Sequence, residues 1–148
     1  MAARFYPADV RVLAVDFGEK RIGLAVSDES GTVVVPVGAI SRASDEKAAA
    51  LVAEAARERD VERVVVGHPL NQDGSEGVPA RRARNFARRL ESASGLPVDL
   101  HGEGLTTAAA ERNLIDAGIG ARRRGVARDA EAAAVLLRDY LFERTRRG

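Results

Sequence analysis

The apolar residues in the N-terminal part of the chain form short runs that alternate with brief polar links. Apolar runs bounded by turn residues, such as Gly18-Glu19-Lys20 and Ser30-Gly31, predict β-strands joined by tight turns. Strands with such short connections pair antiparallel. The sequence therefore predicts a three-strand meander, with strands at Arg11–Gly18, Arg21–Ser27 and Val33–Ile40.

Beyond these strands the apolar spacing changes to the helical period, and helical and strand patterns then alternate. Ser44 is expected to cap a helix that runs to about Arg59. Glu62–Gly67 is a continuously apolar strand, as in a sheet covered on both faces, and Pro69–Gly77 is a polar loop. The remaining predictions are a helix from Pro79, a strand at Pro97–His101, a helix near Thr106–Ala117, a mobile basic loop at Ala121–Gly125 and a last helix from about Asp129 to Arg144.

This order of elements favours an α/β fold with one mixed sheet. An antiparallel three-strand meander followed by alternating helices and strands places helices on both faces of the sheet, which is the ribonuclease-H-like arrangement. The chain contains no linker and no internal repeat. Residues 1–148 are therefore expected to form a single domain.

The composition removes several classes of function. Hydrophobic residues make up 45% and charged residues 30% of the chain, which is typical of a globular protein. The absence of cysteine excludes a disulfide scaffold, a thiolate metal site and a cysteine nucleophile. No stretch is long and apolar enough for a signal sequence or a membrane span. We therefore expect a cytoplasmic protein with no membrane partner.

The net charge is only +1, but the arginines are clustered. One cluster comprises Arg81, Arg82, Arg84, Arg88 and Arg89, and the other comprises Arg122, Arg123, Arg124 and Arg128. On the predicted helix, Arg81, Arg84 and Arg88 share one face and Arg82 lies apart from it. Such clustering can give a nearly neutral protein one basic face. Arginines that only solvate helix exteriors would give the same pattern.

Three carboxylates occur where a divalent metal site could form. Hard ions such as Mg²⁺ or Mn²⁺ take oxygen ligands, and a pair of them can activate water and neutralise charge on a phosphodiester. Asp16 ends an apolar strand, and Glu103 follows the fifth strand. Asp129 lies at the expected start of the last helix, on the side of its apolar stripe.

Each of these carboxylates also has an ordinary structural interpretation. Asp16 could cap the turn at Gly18, Glu103 could be a solvated loop residue, and the position of Asp129 by itself favours a helix cap. Glycines near Asp16, at Gly18 and Gly23, would allow close approach of a phosphate backbone. The two histidines, His68 and His101, lack a metal-ligand spacing and are expected to be structural or to make peripheral phosphate contacts.

Three motifs, in order and at similar distances, resemble the YqgF/RuvX family over nearly the whole chain. Asp16–Gly23 reads Asp-Phe-Gly-Glu-Lys-Arg-Ile-Gly, which is similar to the opening motif of the family. Val66–Gly74 reads Val-Gly-His-Pro-Leu-Asn-Gln-Asp-Gly, and Asp129 opens an alanine-rich helix that contains Tyr140. Members of this family are known as Holliday junction resolvases and as the nuclease of pre-16S rRNA maturation.

The resemblance implies a Mg²⁺- or Mn²⁺-dependent nuclease. Its catalytic and metal-binding residues would be Asp16, Glu103 and Asp129. Phosphates of the nucleic-acid partner, pre-rRNA or branched DNA, would be held by Lys20, Arg122, Arg123 and Arg124. Processing of the 5′ end of pre-16S rRNA in ribosome biogenesis is the favoured function, and resolution of Holliday junctions in DNA recombination or repair is the alternative.

One departure from the family pattern leaves other functions open. Gly102 and Gly104 stand where the family has Asp and Arg, although Glu103 between them is kept. A nucleic-acid-binding module with little activity is therefore an alternative. Phosphoryl transfer from ATP is a weaker one, because actin-like and sugar-kinase folds need two such domains. The arginine- and glutamate-rich outer faces leave little apolar surface for a two-fold dimer, so we expect a monomer or a weak homodimer.

Overall fold

The computed structural model describes residues 10–102 and 121–147, with the side chains of the last helix described for residues 125–144. The elements, in chain order, are β1 (Val12–Phe17), β2 (Arg21–Ser27), β3 (Val34–Ser41), α1 (Asp45–Glu58), β4 (Arg63–His68), α2 (Val78–Ser94), β5 (Val98–Gly102) and α3 (Ala121–Arg147). No helix in this described part is long and apolar enough to cross a membrane.

The five strands form one mixed sheet in the order β3-β2-β1-β4-β5. The pairs β1–β2 and β2–β3 are antiparallel, which confirms the predicted meander. The pairs β1–β4 and β4–β5 are parallel, so β1, β4 and β5 all end at the same edge of the sheet. We call this edge the carboxyl edge. The turn between β1 and β2 lies at the same edge.

The two faces of the sheet are covered by different helices. Leu13 and Val15 of β1 pack in a core with residues of α1 and α2, including Phe86. Val12 and Ala14 belong to a second core, which contains buried residues of α3. Because successive side chains of a strand point to opposite faces, Asp16 lies on the same face as Val12 and Ala14. Asp16 therefore faces the side of the sheet that α3 covers.

The sequence correctly predicts how α1 and α2 begin, and the structure adds how α2 ends. The side chain of Ser44 accepts a hydrogen bond from the amide of Lys47, at 3.1 Å, and caps α1. Proline in the first turn suits α2, since its missing N–H would have no helical partner there. Gly95 ends α2 in the left-handed conformation, with φ at 71°.

The last helix is longer than the sequence pattern predicts. The expected basic loop at Ala121–Gly125 and the expected start near Asp129 are both wrong, because α3 is continuous from Ala121 to Arg147. Arginine is a good helix former, and one glycine costs a helix only about 1 kcal/mol. Asp129 lies about two turns inside the helix, so it is not a helix cap. The helix predicted near Thr106–Ala117 lies outside the described residues.

Candidate functional site

Asp16 and Asp129 come together at the carboxyl edge of the sheet. Asp16 pairs with Gly23 in the β1–β2 ladder, where paired Cα atoms are about 4.5–5.5 Å apart. The backbone of Asp129 lies directly over Gly23, since a Cβ atom on that glycine would overlap the carbonyl oxygen of Asp129. The missing side chain of Gly23 thus brings the two aspartates to neighbouring positions on one face.

The carboxylate of Asp129 is held by an arginine of β2. Nε of Arg21 donates to Oδ2 of Asp129 at 2.6 Å, and the two side chains are 36% and 21% exposed, respectively. Hydrogen bonds between ionised partners are short and strong. No pattern in the sequence assigns a role to Arg21, although it lies within the first motif.

The β1–β2 turn depends on a second glycine. The amide of Gly18 donates to the carbonyl oxygen of Arg21 at 3.1 Å and closes the turn. A Cβ on Gly18 would lie 2.7 Å from that same oxygen. Both Gly18 and Gly23 therefore have an intramolecular role, whereas the sequence suggested room for a phosphate backbone. Lys20 is exposed in this turn.

Arg42 fixes the β1–β2 turn, although it lies outside every motif of the sequence. Its Nη1 donates to the carbonyl oxygen of Gly18 at 3.1 Å, and its Nε donates to Oδ1 of Asp45 at 2.9 Å. The guanidinium lies over the ring of Phe17, 4.1 Å from the centroid. This clamp joins the segment that follows Asp16 to the start of α1. No sequence signal indicates it, because Arg42 is distant in sequence from the turn.

The other predicted site residues are described only in part. Glu103 lies outside the described residues, directly after the last residue of β5. Arg122, Arg123 and Arg124 lie in the first turns of α3 rather than in a loop, and their side chains are not among those described. With the third carboxylate outside, the described residues contain no group of three potential metal ligands.

Both histidines have carboxylate partners within the protein. Nε2 of His68 lies 2.9 Å from Oε2 of Glu76, and Arg84 contacts the other oxygen of the same carboxylate at 3.1 Å. Nε2 of His101 lies 2.7 Å from Oδ2 of Asp139. These contacts support the structural interpretation of the histidines.

The arginines of α2 do not separate into a basic face and an arginine set apart from it, as the sequence suggests. Arg81 and Arg88 are exposed, whereas Arg84 is paired with Glu76. Arg82 lines a shallow cleft beside the β1–β2 turn, together with Phe17, Gly18, Glu19, Arg42 and Pro79. Arg82 therefore lies close to the candidate site, although the helical pattern sets it apart from the predicted basic face.

Sequence comparison identifies close relatives over most of the chain. Residues 10–143 match the family model described as RuvX: Holliday junction resolvase. A protein of Anaeromyxobacter dehalogenans named "Putative pre-16S rRNA nuclease" is 47% identical over 135 residues, which are 91% of this chain and 98% of the relative. A Symbiobacterium thermophilum protein of the same name is 44% identical over 138 residues, with 93% and 96% covered.

Two solved structures share the fold of the chain. RuvC of T. thermophilus in complex with a Holliday junction substrate superposes with a TM-score of 0.55 at 17% identity, covering 92% of this chain and 96% of that one. The Fowlpox virus resolvase in complex with Holliday junction DNA gives 0.56 at 14% identity, covering 90% and 97%. These likenesses confirm the ribonuclease-H-like fold. The family match, supported by relatives of this identity over nearly their full length, shows that the chain belongs to the RuvX family.

Proposed function

We propose that the protein is a divalent-metal-dependent nuclease with Asp16, Glu103 and Asp129 as its metal ligands. The observation that carries the proposal is the placement of Asp16 and Asp129 on one face at the carboxyl edge. Two neighbouring carboxylates repel each other unless a positive charge lies between or beside them. Since Asp129 is inside a helix, capping does not explain it. A cation-binding role accounts for both residues.

The chemistry of these side chains fits a hard divalent ion. Mg²⁺ and Mn²⁺ prefer carboxylate oxygens and keep positions for water and substrate. Asp129 is 21% exposed, so solvent and a phosphate group can reach it. Glu103 follows β5, which ends at the same edge as β1. That position supports Glu103 as a third ligand.

In the proposed mechanism the ions would activate water and neutralise charge on the scissile phosphate. The three carboxylates would hold them at the carboxyl edge. Lys20, exposed in a turn that Arg42 keeps in place, would bind a flanking phosphate. Arg122, Arg123 and Arg124, which precede Asp129 on α3, would bind others.

The substrate we propose is the 5′ end of pre-16S rRNA. Relatives that are 44–47% identical carry the name of a pre-16S rRNA nuclease, whereas the junction-bound structures are at most 17% identical. Junction cleavage is the second candidate, and the description of the family model favours it. Symmetric junction cleavage needs two sites related by a two-fold axis, which a single copy of the chain does not provide.

The experiment compares cleavage of a 5′-extended 16S rRNA fragment and a four-way DNA junction, in EDTA, Mg²⁺ and Mn²⁺. We expect metal-dependent cleavage of the RNA that Asp16→Asn abolishes. The matched control is Asp139→Asn, which neutralises a 53%-exposed carboxylate on the helix that carries Asp129 and should leave cleavage intact. Absence of metal-dependent cleavage on either substrate would favour a binding module instead. Cleavage retained in Asp16→Asn would remove this residue from the site.

A further inference from the structure

Arg21 joins the sheet to α3 at the position where the proposed metal site lies. The backbone of Arg21 is fixed in β2, opposite Ser41 of β3. Its side chain reaches α3 and donates from Nε to Oδ2 of Asp129 at 2.6 Å. No other described residue donates to this carboxylate. Among the described residues, it is therefore a residue of the sheet that orients the Asp129 carboxylate.

A glycine in α3 makes room for this arrangement. Gly125 precedes Asp129 by four residues, so both lie on the same side of the helix. A Cβ at Gly125 would lie 2.6 Å from Nη2 and 3.1 Å from Cζ of Arg21. Glycine inside a helix is unfavourable relative to alanine. Here the missing side chain leaves the space that the guanidinium occupies.

The pair uses one of the two carboxylate oxygens of Asp129. Oδ2 accepts the hydrogen bond from Arg21, so Oδ1 can serve another cation. Asp16, the second proposed ligand on this face, pairs with Gly23 directly under Asp129. The guanidinium also offsets part of the repulsion between the two aspartates. Arg21 thus keeps the Asp129 carboxylate in place when no ion is bound.

We propose that Arg21 is a positioning residue for the metal centre, holding Oδ2 of Asp129 and leaving Oδ1 to the ion. The inference rests on the proposed function. Groups that hydrogen-bond to metal ligands fix their orientation, and their loss typically weakens metal affinity by about 10–100-fold. The positive charge of Arg21 opposes this effect by repelling the ion. Because the Arg21 side chain is 36% exposed, solvent screens that repulsion, and the loss of orientation dominates.

The test is the dissociation constant for Mn²⁺, measured by titration calorimetry on wild type, Arg21→Met and Arg21→Lys. We expect Arg21→Met to weaken binding at least about tenfold and Arg21→Lys to recover part of the loss. The control is Arg63→Met. Arg63 forms a comparable ion pair with Asp99 at 3.0 Å, but it lies at the opposite end of the parallel strands from Asp16. This control should lower thermal stability and leave Mn²⁺ affinity unchanged.

Three results would overturn the role of Arg21. The first is Arg21→Met binding Mn²⁺ as tightly as wild type, or more tightly. The second is unchanged Mn²⁺ affinity with weakened RNA binding, which would make Arg21 a phosphate contact. The third is an equal loss in Arg63→Met, which would indicate a general effect of stability. If wild type itself bound no Mn²⁺, the metal-nuclease proposal would fail and this inference with it.

Gly125→Ala provides a second variant should Arg21→Met fail to fold. It keeps every ionisable group and places a methyl group where the guanidinium lies. Weaker Mn²⁺ binding in this variant supports the positioning role, because alanine is the better helix former and a purely structural contact would not lower metal affinity. Unchanged binding in a variant whose guanidinium is displaced from Asp129 would overturn the proposal.

Discussion

Replacing Gly23 by alanine should separate α3 from the sheet at the candidate site. The new Cβ would overlap the carbonyl oxygen of Asp129 and lie 3.2 Å from the amide nitrogen of Ala130. These are backbone atoms, so no side-chain rotation relieves the collision. To restore an ordinary contact of about 3.5 Å, α3 must move away from β2 by more than about 1 Å.

The expected loss of stability follows from this collision. Overpacking a core usually costs about 1–3 kcal/mol, and a collision between backbone atoms belongs at the upper end. About 3 kcal/mol corresponds to a decrease in melting temperature of about 6–12 °C for a protein of this size. Metal-dependent cleavage should fall about 100-fold, because a displacement of about 1 Å at a reacting centre has that effect.

The assay combines thermal unfolding, followed by circular dichroism, with cleavage of the RNA substrate below the melting temperature. Gly102→Ala is the matched control for stability, since no atom of the described residues lies within 4 Å of a Cβ at that position. It should unfold at or slightly above the wild-type temperature. Wild-type stability and cleavage in Gly23→Ala would refute the close approach of α3 and the placement of Asp129 derived from it.

Four further outcomes are expected. Asp129→Asn in EDTA should lower the free energy of unfolding by up to about 1 kcal/mol in urea titrations, because the weakened pair with Arg21 outweighs the relief of the repulsion from Asp16 that Arg21 already offsets in part. Greater stability would show that the repulsion is the larger of the two effects and would contradict this expectation. Arg123→Ala should weaken RNA binding and reduce the slope of log binding constant against log salt concentration by about one. Arg89→Ala, at an exposed position of α2, should leave that slope unchanged. Equal slopes in the two variants would exclude a special role for the start of α3. Light scattering at micromolar concentration should give a monomer or weak dimer, and a stable dimer that nicks opposing junction arms would favour resolution. Hydrogen bonds, above all from Ser30, lower the pKa of Asp28 from its ordinary value. The stability lost in Asp28→Ala should therefore be largest at neutral pH and decrease as pH falls through the lowered pKa; a difference independent of pH would contradict this.

The regular elements of the fold were predictable because their signals are local. The bounds of β2 are those predicted, and Ser44 caps α1 as expected. The mixed character of the sheet was predictable, because short turns at the beginning of the chain favour antiparallel pairs and the longer connections later in the chain allow parallel ones. The order of the strands in space was not predicted, because it depends on contacts between distant segments.

The details of the site were less predictable, for physical reasons. Polar residues with one glycine resembled a loop at Ala121–Gly125, yet the segment is helical and continuous with the rest of α3. This error made Asp129 look like a helix cap. The ion pair between Arg21 and Asp129 joins residues 108 positions apart, and no local pattern encodes it. The motif indicated that Gly23 matters, but only the structure shows that α3 requires it.

A crystal structure with bound Mn²⁺ would show whether the carboxylates at the carboxyl edge hold divalent ions. Anomalous scattering identifies Mn²⁺ independently of how the carboxylates are built. We expect an anomalous peak bounded by Asp16, Glu103 and Asp129, with Arg21 still bonded to Oδ2 of Asp129. Saturating Mn²⁺ with no peak at these carboxylates would contradict it.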